Sequence, residues 1–237
     1  MRREITSTTT AILQPIGSAG RTSGPLYAIN WFNTRWAWLY TLYNVLAARL
    51  LLKSGGRPVL KANHRKTIDG PASAERQVLL IVQYPSGDSF LDLLQNRMFQ
   101  VVSLLRMLAV KDFSFVFHRR YDDDVPFESQ ERPLAGDKAY AVHHFRSPEP
   151  LRIELQRIRE LAEDRPISVF FVGEKTASVA IEKNGEPPQV MPFETHKSVI
   201  FESDRHEMLE TFLCAPAYQA FSARLGVSYI ATFDRVL

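Results

Sequence analysis

The sequence of 237 residues has little cysteine, no long uncharged hydrophobic run and no block of one charge sign. Its single cysteine, Cys214, excludes an internal disulfide bond, which favours a reducing compartment, and we expect a cytoplasmic protein. Lysine and arginine total 29 against 26 aspartates and glutamates, and the basic residues are scattered along the chain. Because nucleic-acid-binding surfaces usually need clustered basic residues, we expect no nucleic-acid partner.

The most apolar segment, residues 36–52 (WAWLYTLYNVLAARLLL), contains Asn44 and Arg49. It is shorter than the roughly 20 apolar residues that span a bilayer, so we expect a buried helix and no membrane partner. The N-terminal residues turn threonine-rich after a basic start, which argues against a signal peptide. Cys214 lies between Leu213 and Ala215, and this apolar setting predicts a core position for the thiol.

The sequence also lacks the short motifs of several common catalytic and cofactor sites. It contains no Walker loop, no Gly-x-Gly-x-x-Gly, no His-Glu-x-x-His and no Gly-x-Ser-x-Gly. These absences argue against the usual phosphate-binding, zinc-protease and serine-hydrolase sites. We therefore expect neither a metal site nor another cofactor.

An internal repeat is the most informative feature that the sequence does contain. Residues 26–32 (LYAINWF) match residues 139–145 (AYAVHHF), with tyrosine, alanine, a β-branched residue and phenylalanine at the same positions. Further along, the order of Leu94 and Phe99-Gln100 is repeated by Leu213 and Tyr218-Gln219. Two matches in the same order predict a tandem duplication.

Each half of the chain predicts strand, helix, strand, strand, helix, strand, which is the order of a ferredoxin-like α+β unit. The second helix of the first half is expected at about 85–108, and that of the second half at about 205–225. The predicted boundaries are an N-terminal tail at 1–25, a first domain at 26–120, a polar linker at 121–138 and a second domain at 139–237. Aromatic residues occupy both alternations of the strands, so both faces of each sheet should be covered. We expect the two sheets to cover each other, as a pseudo-dimer within one chain that could also form a homodimer.

Short motifs in this order resemble domain-of-unknown-function family 1330 of the dimeric α+β barrel superfamily. They are residues 27–30 (YAIN), 55–57 (GGR), 78–86 (VLLIVQYPS), 98–100 (MFQ) and 216–219 (PAYQ). The superfamily also contains antibiotic-biosynthesis monooxygenases that work without a cofactor. The resemblance implies two tandem ferredoxin-like βαββαβ units whose antiparallel sheets pack as an intramolecular dimeric α+β barrel.

A cleft between the two sheets is the expected site for a small-molecule ligand. Our catalytic candidates are His64, which is the preferred acid or base, and Asn30 and His143, which correspond in the repeat. The residues expected to contact the ligand are Trp31, Phe115, His118 and Arg57. The alternative for the polar candidates is a structural role, as a buried histidine or as an amide bonded to nearby backbone.

Two classes of function remain open at this point. If the protein is an enzyme, the resemblance implies cofactor-independent oxygenation, dehydration or isomerisation of an aromatic or polyketide-like substrate. The alternative is a non-catalytic module that binds a ligand or a partner protein. The sequence does not choose between them, because no acid–base pair is repeated in the two halves.

Overall fold

The computed structural model describes residues 24–121, 138–179, 197–226 and 228–236, and these residues form an α+β structure. The predicted tail at 1–25 and the predicted linker at 121–138 fall almost wholly outside the described residues.

The described elements follow the predicted order in both halves of the chain. In the first half they are β1 (Leu26–Thr34), α1 (Ala37–Lys53), β2 (Arg57–Asp69), a short 3-10 turn (Ala72–Ala74), β3 (Val78–Tyr84), α2 (Gly87–Gln95), α3 (Arg97–Ala109) and β4 (Val110–Arg120). In the second half they are β5 (Ala139–Phe145), α4 (Leu151–Ala162), β6 (Ser168–Val179), β7 (Lys197–Ser203), α5 (His206–Leu213), α6 (Pro216–Ser222) and β8 (Ser228–Arg235).

The strands are hydrogen-bonded neighbours in the order β4, β1, β3, β2, β8, β5, β7 and β6, and β6 is also a neighbour of β4. The registers of β1 with β3 and β4 are antiparallel, as are those of β5 with β7 and β8. In an antiparallel pair, residues directly opposite each other lie on the same face of the sheet. The registers therefore fix which side chains share a face.

Residue contacts divide the chain into two compact units that are not continuous in sequence. Unit 1 comprises Met1–Val59, Arg76–His118 and Thr176–Val190, and unit 2 comprises Leu60–Glu75, Arg119–Lys175 and Met191–Leu237. Strands β2, β4 and β6 therefore contribute residues to both units. The domain boundaries at 26–120 and 139–237 follow the sequence repeat instead and stay a prediction.

In unit 1, helices α1, α2 and α3 pack on one face of the strands β1, β3 and β4. Leu26, Ala28 and Phe32 of β1 belong to the resulting core clusters, together with helix residues such as Leu39 and Phe90. Because side chains alternate along a strand, Tyr27, Ile29 and Trp31 lie on the opposite face, which we call the far face.

Unit 2 has the same arrangement of a helix-covered face and a far face. Ala139, Ala141 and Phe145 of β5 pack with residues of α4, α5 and α6, among them Leu155 and Phe212. The side chains of Tyr140, Val142 and His144 alternate with them and belong to the far face of this sheet.

The second predicted helix of each half is broken into two shorter helices. The helical periodicity did not reveal these breaks. Asn96 ends α2 and caps α3, its side chain accepting a hydrogen bond from the backbone N–H of Phe99 at 3.1 Å. In unit 2 the break precedes Pro216, which occupies the first turn of α6, where a missing N–H costs nothing. Sequence reasoning had run one helix through this proline.

The chain after each break is held by the same hydrogen bond in both units. The Gln100 side-chain amide donates to the carbonyl oxygen of Leu94 at 2.9 Å, and the Gln219 amide donates to that of Leu213 at 2.6 Å. These glutamines and leucines are the residues that the sequence repeat aligns. The thiol of Cys214 is exposed beside the second break, so the core position predicted for it was wrong.

No helix within the described ranges is long and apolar enough to cross a bilayer. Helix α1, which contains most of the apolar segment 36–52, ends in a tight turn at Gly55 and Gly56. The Gly55 N–H donates to the Leu52 carbonyl and the Gly56 N–H to that of Leu51, both at 3.0 Å. Gly55 has a φ of +76°, a conformation that residues with a Cβ rarely adopt.

Replacing Gly55 with alanine should lower the free energy of unfolding by about 1 to 2 kcal/mol, because the left-handed backbone is costly for alanine. The new Cβ would also lie 2.9 Å from the Cγ atom of Pro85. Urea unfolding of Gly55→Ala measures the loss. The control is Gly226→Ala, whose added Cβ would meet its nearest neighbour at 3.4 Å. Equal stability of the two variants would contradict this account of the turn.

Candidate active site

His64 lies on β2 within unit 2 and packs against an aromatic residue of the adjacent strand. It is directly opposite Phe233 of β8, and the two rings meet edge to face with their centroids 5.6 Å apart. The side chain of His64 is 11% exposed, so one edge of the imidazole remains accessible to solvent. An imidazole that is partly buried but still accessible is well placed for acid–base chemistry.

Two polar side chains flank the two nitrogens of His64. The Nδ1 atom lies 3.6 Å from a carboxylate oxygen of Glu75, and the Nε2 atom lies 3.0 Å from the hydroxyl of Thr67. The Thr67 hydroxyl also lies 3.1 Å from the second carboxylate oxygen of Glu75, to which it can donate. Because the Thr67 hydroxyl has one proton, its donation to Glu75 makes the Nε2–H of His64 the donor in the contact with Thr67 and leaves the imidazole lone pair on Nδ1, beside Glu75.

The turn after β2 brings Glu75 back beside His64. Asp69 ends the strand, and Gly70 follows with a φ of +114°. A Cβ on Gly70 would lie 2.8 Å from the ring of Tyr229, so both the backbone and the close approach to β8 require glycine here. Sequence reasoning selected His64 but missed Glu75, because nothing in the residue spacing indicates that the chain folds back.

The environment of His64 lowers its pKa below the ordinary histidine value. Partial burial is the larger cause, since it disfavours the charged imidazolium, while the Glu75 carboxylate acts in the opposite direction. The side chain is therefore neutral at pH 7. A neutral imidazole can accept a proton, and Glu75 is positioned to stabilise the charge that forms.

The far face of unit 2 continues from His64 as a row of buried side chains. Phe233 is opposite Tyr140, which is opposite Glu202 of β7. The Tyr140 hydroxyl donates to a Glu202 carboxylate oxygen at 2.7 Å, and both residues are buried. The sequence analysis did not select this pair. Its signal was a glutamate directly after the apolar residues 199–201, since a glutamate is seldom buried without a partner.

The far face of unit 1 contains or adjoins three of the predicted ligand-contact residues, namely Trp31, His118 and Arg57. Tyr27 is opposite both Gln83 and His118. The Gln83 amide donates to the Tyr27 hydroxyl at 3.0 Å, and the Arg57 Nε donates to the Gln83 carbonyl oxygen at 2.6 Å. The guanidinium of Arg57 is thus held by Gln83. Trp31 is buried on the same face.

Asn30 and Phe115 lie opposite each other on β1 and β4 of unit 1. The Asn30 amide donates to the backbone carbonyls of Ala28 and Leu80, at 3.1 and 3.0 Å. This is the structural alternative that the sequence left open, because the amide is committed to backbone on the helix-covered face. The side chain of Phe115 is outside the part that the structure describes.

His143 lies on the helix-covered face of unit 2, where it joins β5 to α6. Its Nδ1 atom lies 2.7 Å from the Tyr218 hydroxyl and its Nε2 atom 3.0 Å from the Ser228 hydroxyl. The side chain is fully buried, and burial lowers its pKa to about 3. The sequence analysis expected this alternation to face a ligand cleft, whereas in unit 2 it faces the helices. His64 and His143 are on opposite faces of the sheet.

Among the residues that the structure describes, no three histidine, cysteine, aspartate or glutamate side chains are grouped to hold a metal ion. The candidate site consists of His64, Thr67 and Glu75, with the ring of Phe233 packed against the imidazole. The catalytic and ligand-contact roles given to Asn30, His143, Trp31, Phe115, His118 and Arg57 stay predictions.

Three solved structures show what this fold is similar to. An anthrone oxidase-like protein is 12% identical, with a TM-score of 0.53, and the match covers 90% of this chain and 92% of that one. A candidate monooxygenase from Fusobacterium nucleatum is 9% identical, with a TM-score of 0.52 and coverage of 91% and 94%. A mutant chlorite dismutase from Candidatus Nitrospira defluvii is 10% identical, with a TM-score of 0.50 and coverage of 91% and 92%.

These neighbours belong to the dimeric α+β barrel superfamily, and the likeness shows that this chain shares their fold. No protein-family model matches the sequence, and no curated protein matches it. The resemblance to family 1330 therefore stays a prediction. At these identities the fold is shared, but no activity is carried over with it.

The buried His143 gives a pH dependence of stability with a definite sign. Its pKa is about 3 in the folded state and about 6.5 when unfolded, so between these values unfolding takes up a proton. Stability should be fully present above pH 6.5 and should fall with decreasing pH by up to about 1.4 kcal/mol per pH unit for this one group.

Urea unfolding at several pH values between 6.5 and 4 tests this dependence in the wild type and in His143→Gln. The variant should show a shallower dependence, because it lacks the group that takes up the proton. Identical slopes for the two proteins would show that His143 is not buried as a neutral imidazole.

Proposed function

We propose that this protein is a small-molecule enzyme that resembles the cofactor-independent monooxygenases, and that His64 is its general base. The observation that carries this proposal is the position of His64 between Glu75 and Thr67 on the ring of Phe233. The substrate we propose is an aromatic or polyketide-like molecule with an acidic C–H or hydroxyl group. The fully buried Phe233 ring would support the imidazole of His64 from beneath and would not itself meet the substrate.

The proposed chemistry needs no group other than molecular oxygen and the substrate. Neutral His64 accepts a proton from the substrate carbon at Nδ1, while the Glu75 carboxylate beside that nitrogen stabilises the resulting imidazolium. For anthrone, the carbanion passes electrons to oxygen and forms a hydroperoxide at the same carbon. Loss of water from the hydroperoxide then gives anthraquinone, so one anthrone and one O₂ yield one anthraquinone and one water.

The choice of substrate class is supported by the names of the structural neighbours. One is called anthrone oxidase-like, and another is described as a candidate monooxygenase. This support comes from the shared fold alone. The proposed catalytic residues are inferred from the structure of this chain. The cleft between two sheets, in which the sequence analysis placed the site, stays a prediction.

We also propose that the fold arose as two tandem ferredoxin-like units. Strands β4, β1, β3 and β2 are neighbours in the ferredoxin-like order, and β8, β5, β7 and β6 repeat it. Two pairs of matching side-chain hydrogen bonds support the duplication. The bond between Tyr27 and Gln83 corresponds to that between Tyr140 and Glu202, and the bond of Gln100 corresponds to that of Gln219. The acid–base group at His64 has no such counterpart among the described residues.

The first test uses anthrone as the probe, with oxygen consumption and anthraquinone absorbance as the measurements. His64→Gln should lower kcat/KM by at least about 100-fold, which is the usual contribution of a general base. Glu75→Gln should cause a smaller loss. The control is His206→Gln, a histidine of the same unit whose Nε2 atom lies 2.6 Å from a carboxylate oxygen of Asp234.

The wild-type kcat/KM should also fall at low pH with a midpoint below 6.5, since burial lowers the pKa of His64. This decrease of kcat/KM at low pH should be absent in His64→Gln. Wild-type levels of turnover in His64→Gln would remove the assigned base. If anthrone or salicylate raises the Tm of the wild type but no tested compound causes oxygen uptake, the non-catalytic ligand-binding alternative replaces the enzyme.

A further inference from the structure

The outer surface of helices α1 and α3 in unit 1 carries large apolar side chains that this unit leaves in contact with solvent. Trp38, Leu42 and Val45 of α1 are exposed, as are Met98, Val101 and Met107 of α3. Trp38 alone is 69% exposed. The two helices pack against each other, so these residues form one surface, which we call the α1/α3 face.

This surface is larger than a monomeric protein usually leaves open. The exposed parts of the large apolar side chains on the two helices total on the order of 1,000 Å², against the roughly 300 to 600 Å² of the largest apolar patch on a typical monomer. A stable protein–protein interface buries about 800 Å² on each partner. The α1/α3 face is therefore large enough to support a dimer.

The sequence of α1 points the same way. The helix is apolar on nearly all sides, a pattern expected for a helix that is covered on all sides. Unit 1 buries only one side of it, through Leu39, Tyr40 and Ala47. The burial that the sequence predicted for residues 36–52 is thus only half met within unit 1, and a second covering surface would meet it in full.

The charges on the two helices are arranged unevenly along the face. The N–H groups of Arg35 and Trp36 both donate to the carbonyl of Ala109, so the start of α1 lies beside the end of α3. The helices are therefore antiparallel, and the basic residues Arg49 and Lys53 lie at the opposite end from the tryptophans. Arg97, at the start of α3, shares that basic end. Neither helix contains an acidic residue.

We propose that a second copy of this chain covers the α1/α3 face through a two-fold axis. A two-fold axis perpendicular to the helices reverses the second face, which places the basic end of one copy over Trp36 and Trp38 of the other and keeps the like charges apart. The ammonium and guanidinium groups would then meet indole rings, which they contact favourably. Because neither helix contains an acidic residue, the interface would not remove water from any carboxylate of the two helices. The proposal does not depend on the proposed function.

A membrane surface would need a different distribution of charge. Amphipathic helices that lie on anionic lipid carry basic residues along the border of the apolar face. Here three exposed basic side chains of the two helices lie at one end, whereas at the tryptophan end the Arg106 side chain is half-buried against the ring of Phe113 and Arg35 precedes α1. This distribution favours the second copy.

Sedimentation equilibrium of the full chain over about 1 to 100 μM tests the proposal, because a standard-sized interface typically gives micromolar or tighter binding. The expected particle has twice the mass of the 27.1 kDa chain. Val45→Glu and Val101→Glu, one on each helix, should each weaken the dimer by about 100-fold, because each places a carboxylate in a desolvated interface. The circular dichroism spectrum should stay unchanged, since both valines are exposed in the isolated chain.

The matched control is Thr211→Glu, an equally exposed helix position in unit 2, which should dimerise as the wild type does. A wild type that stays monomeric across the range would overturn the proposal, and so would dimers that survive both valine substitutions. Flotation with phosphatidylserine vesicles is the remaining arm. A monomer that floats with these vesicles, and loses this in Val45→Glu, would assign the face to a lipid surface and overturn the second copy.

Discussion

The alternation of side chains along antiparallel strands decides which residues of each unit meet helices and which do not. In both units one alternation packs under helices, and the other carries aromatic rings and paired polar groups. On the far face of unit 2, the registers of β2, β8, β5 and β7 bring His64, Phe233, Tyr140 and Glu202 into one row. A shift of β2 by one residue against β8 would separate His64 from Phe233 and turn the base toward the helices.

Two histidines of unit 2 show how this alternation sets chemical roles. His143 lies under the helices and is kept neutral by full burial, so no ligand can reach its ring nitrogens. His64 is only partly buried, and a carboxylate stands beside it to stabilise a proton. The first arrangement stabilises a fold, whereas the second allows a proton to be taken up and released.

Much of the fold follows from the sequence, because the strands and helices have the expected periodicity and glycines mark their ends. The repeat also aligned Gln100 with Gln219, and the structure gives both the same hydrogen bond. What could not be predicted depends on three-dimensional packing. The helical pattern ran through Pro216 because the residues on both sides are apolar, and Glu75 was missed because only the turn after Gly70 brings it to His64.

The candidate site was predicted in part, for a similar reason. His64 could be selected because it lies on a strand, but the faces of Asn30 and His143 depend on where the helices pack. Alternation shows that neighbouring residues lie on opposite faces and does not show which face is covered. The pairing of Tyr140 with Glu202 depends on register, which no local pattern specifies.

The most direct test of the central claim, that His64 is a neutral base supported by Glu75, is an NMR titration of the histidine ring nitrogens in the folded protein. The account predicts that His64 titrates below pH 6.5 and that Glu75→Gln lowers its pKa further, because the variant removes the charge that favours imidazolium. A His64 ring that is protonated at pH 7, or one whose titration is unchanged in Glu75→Gln, would contradict the account.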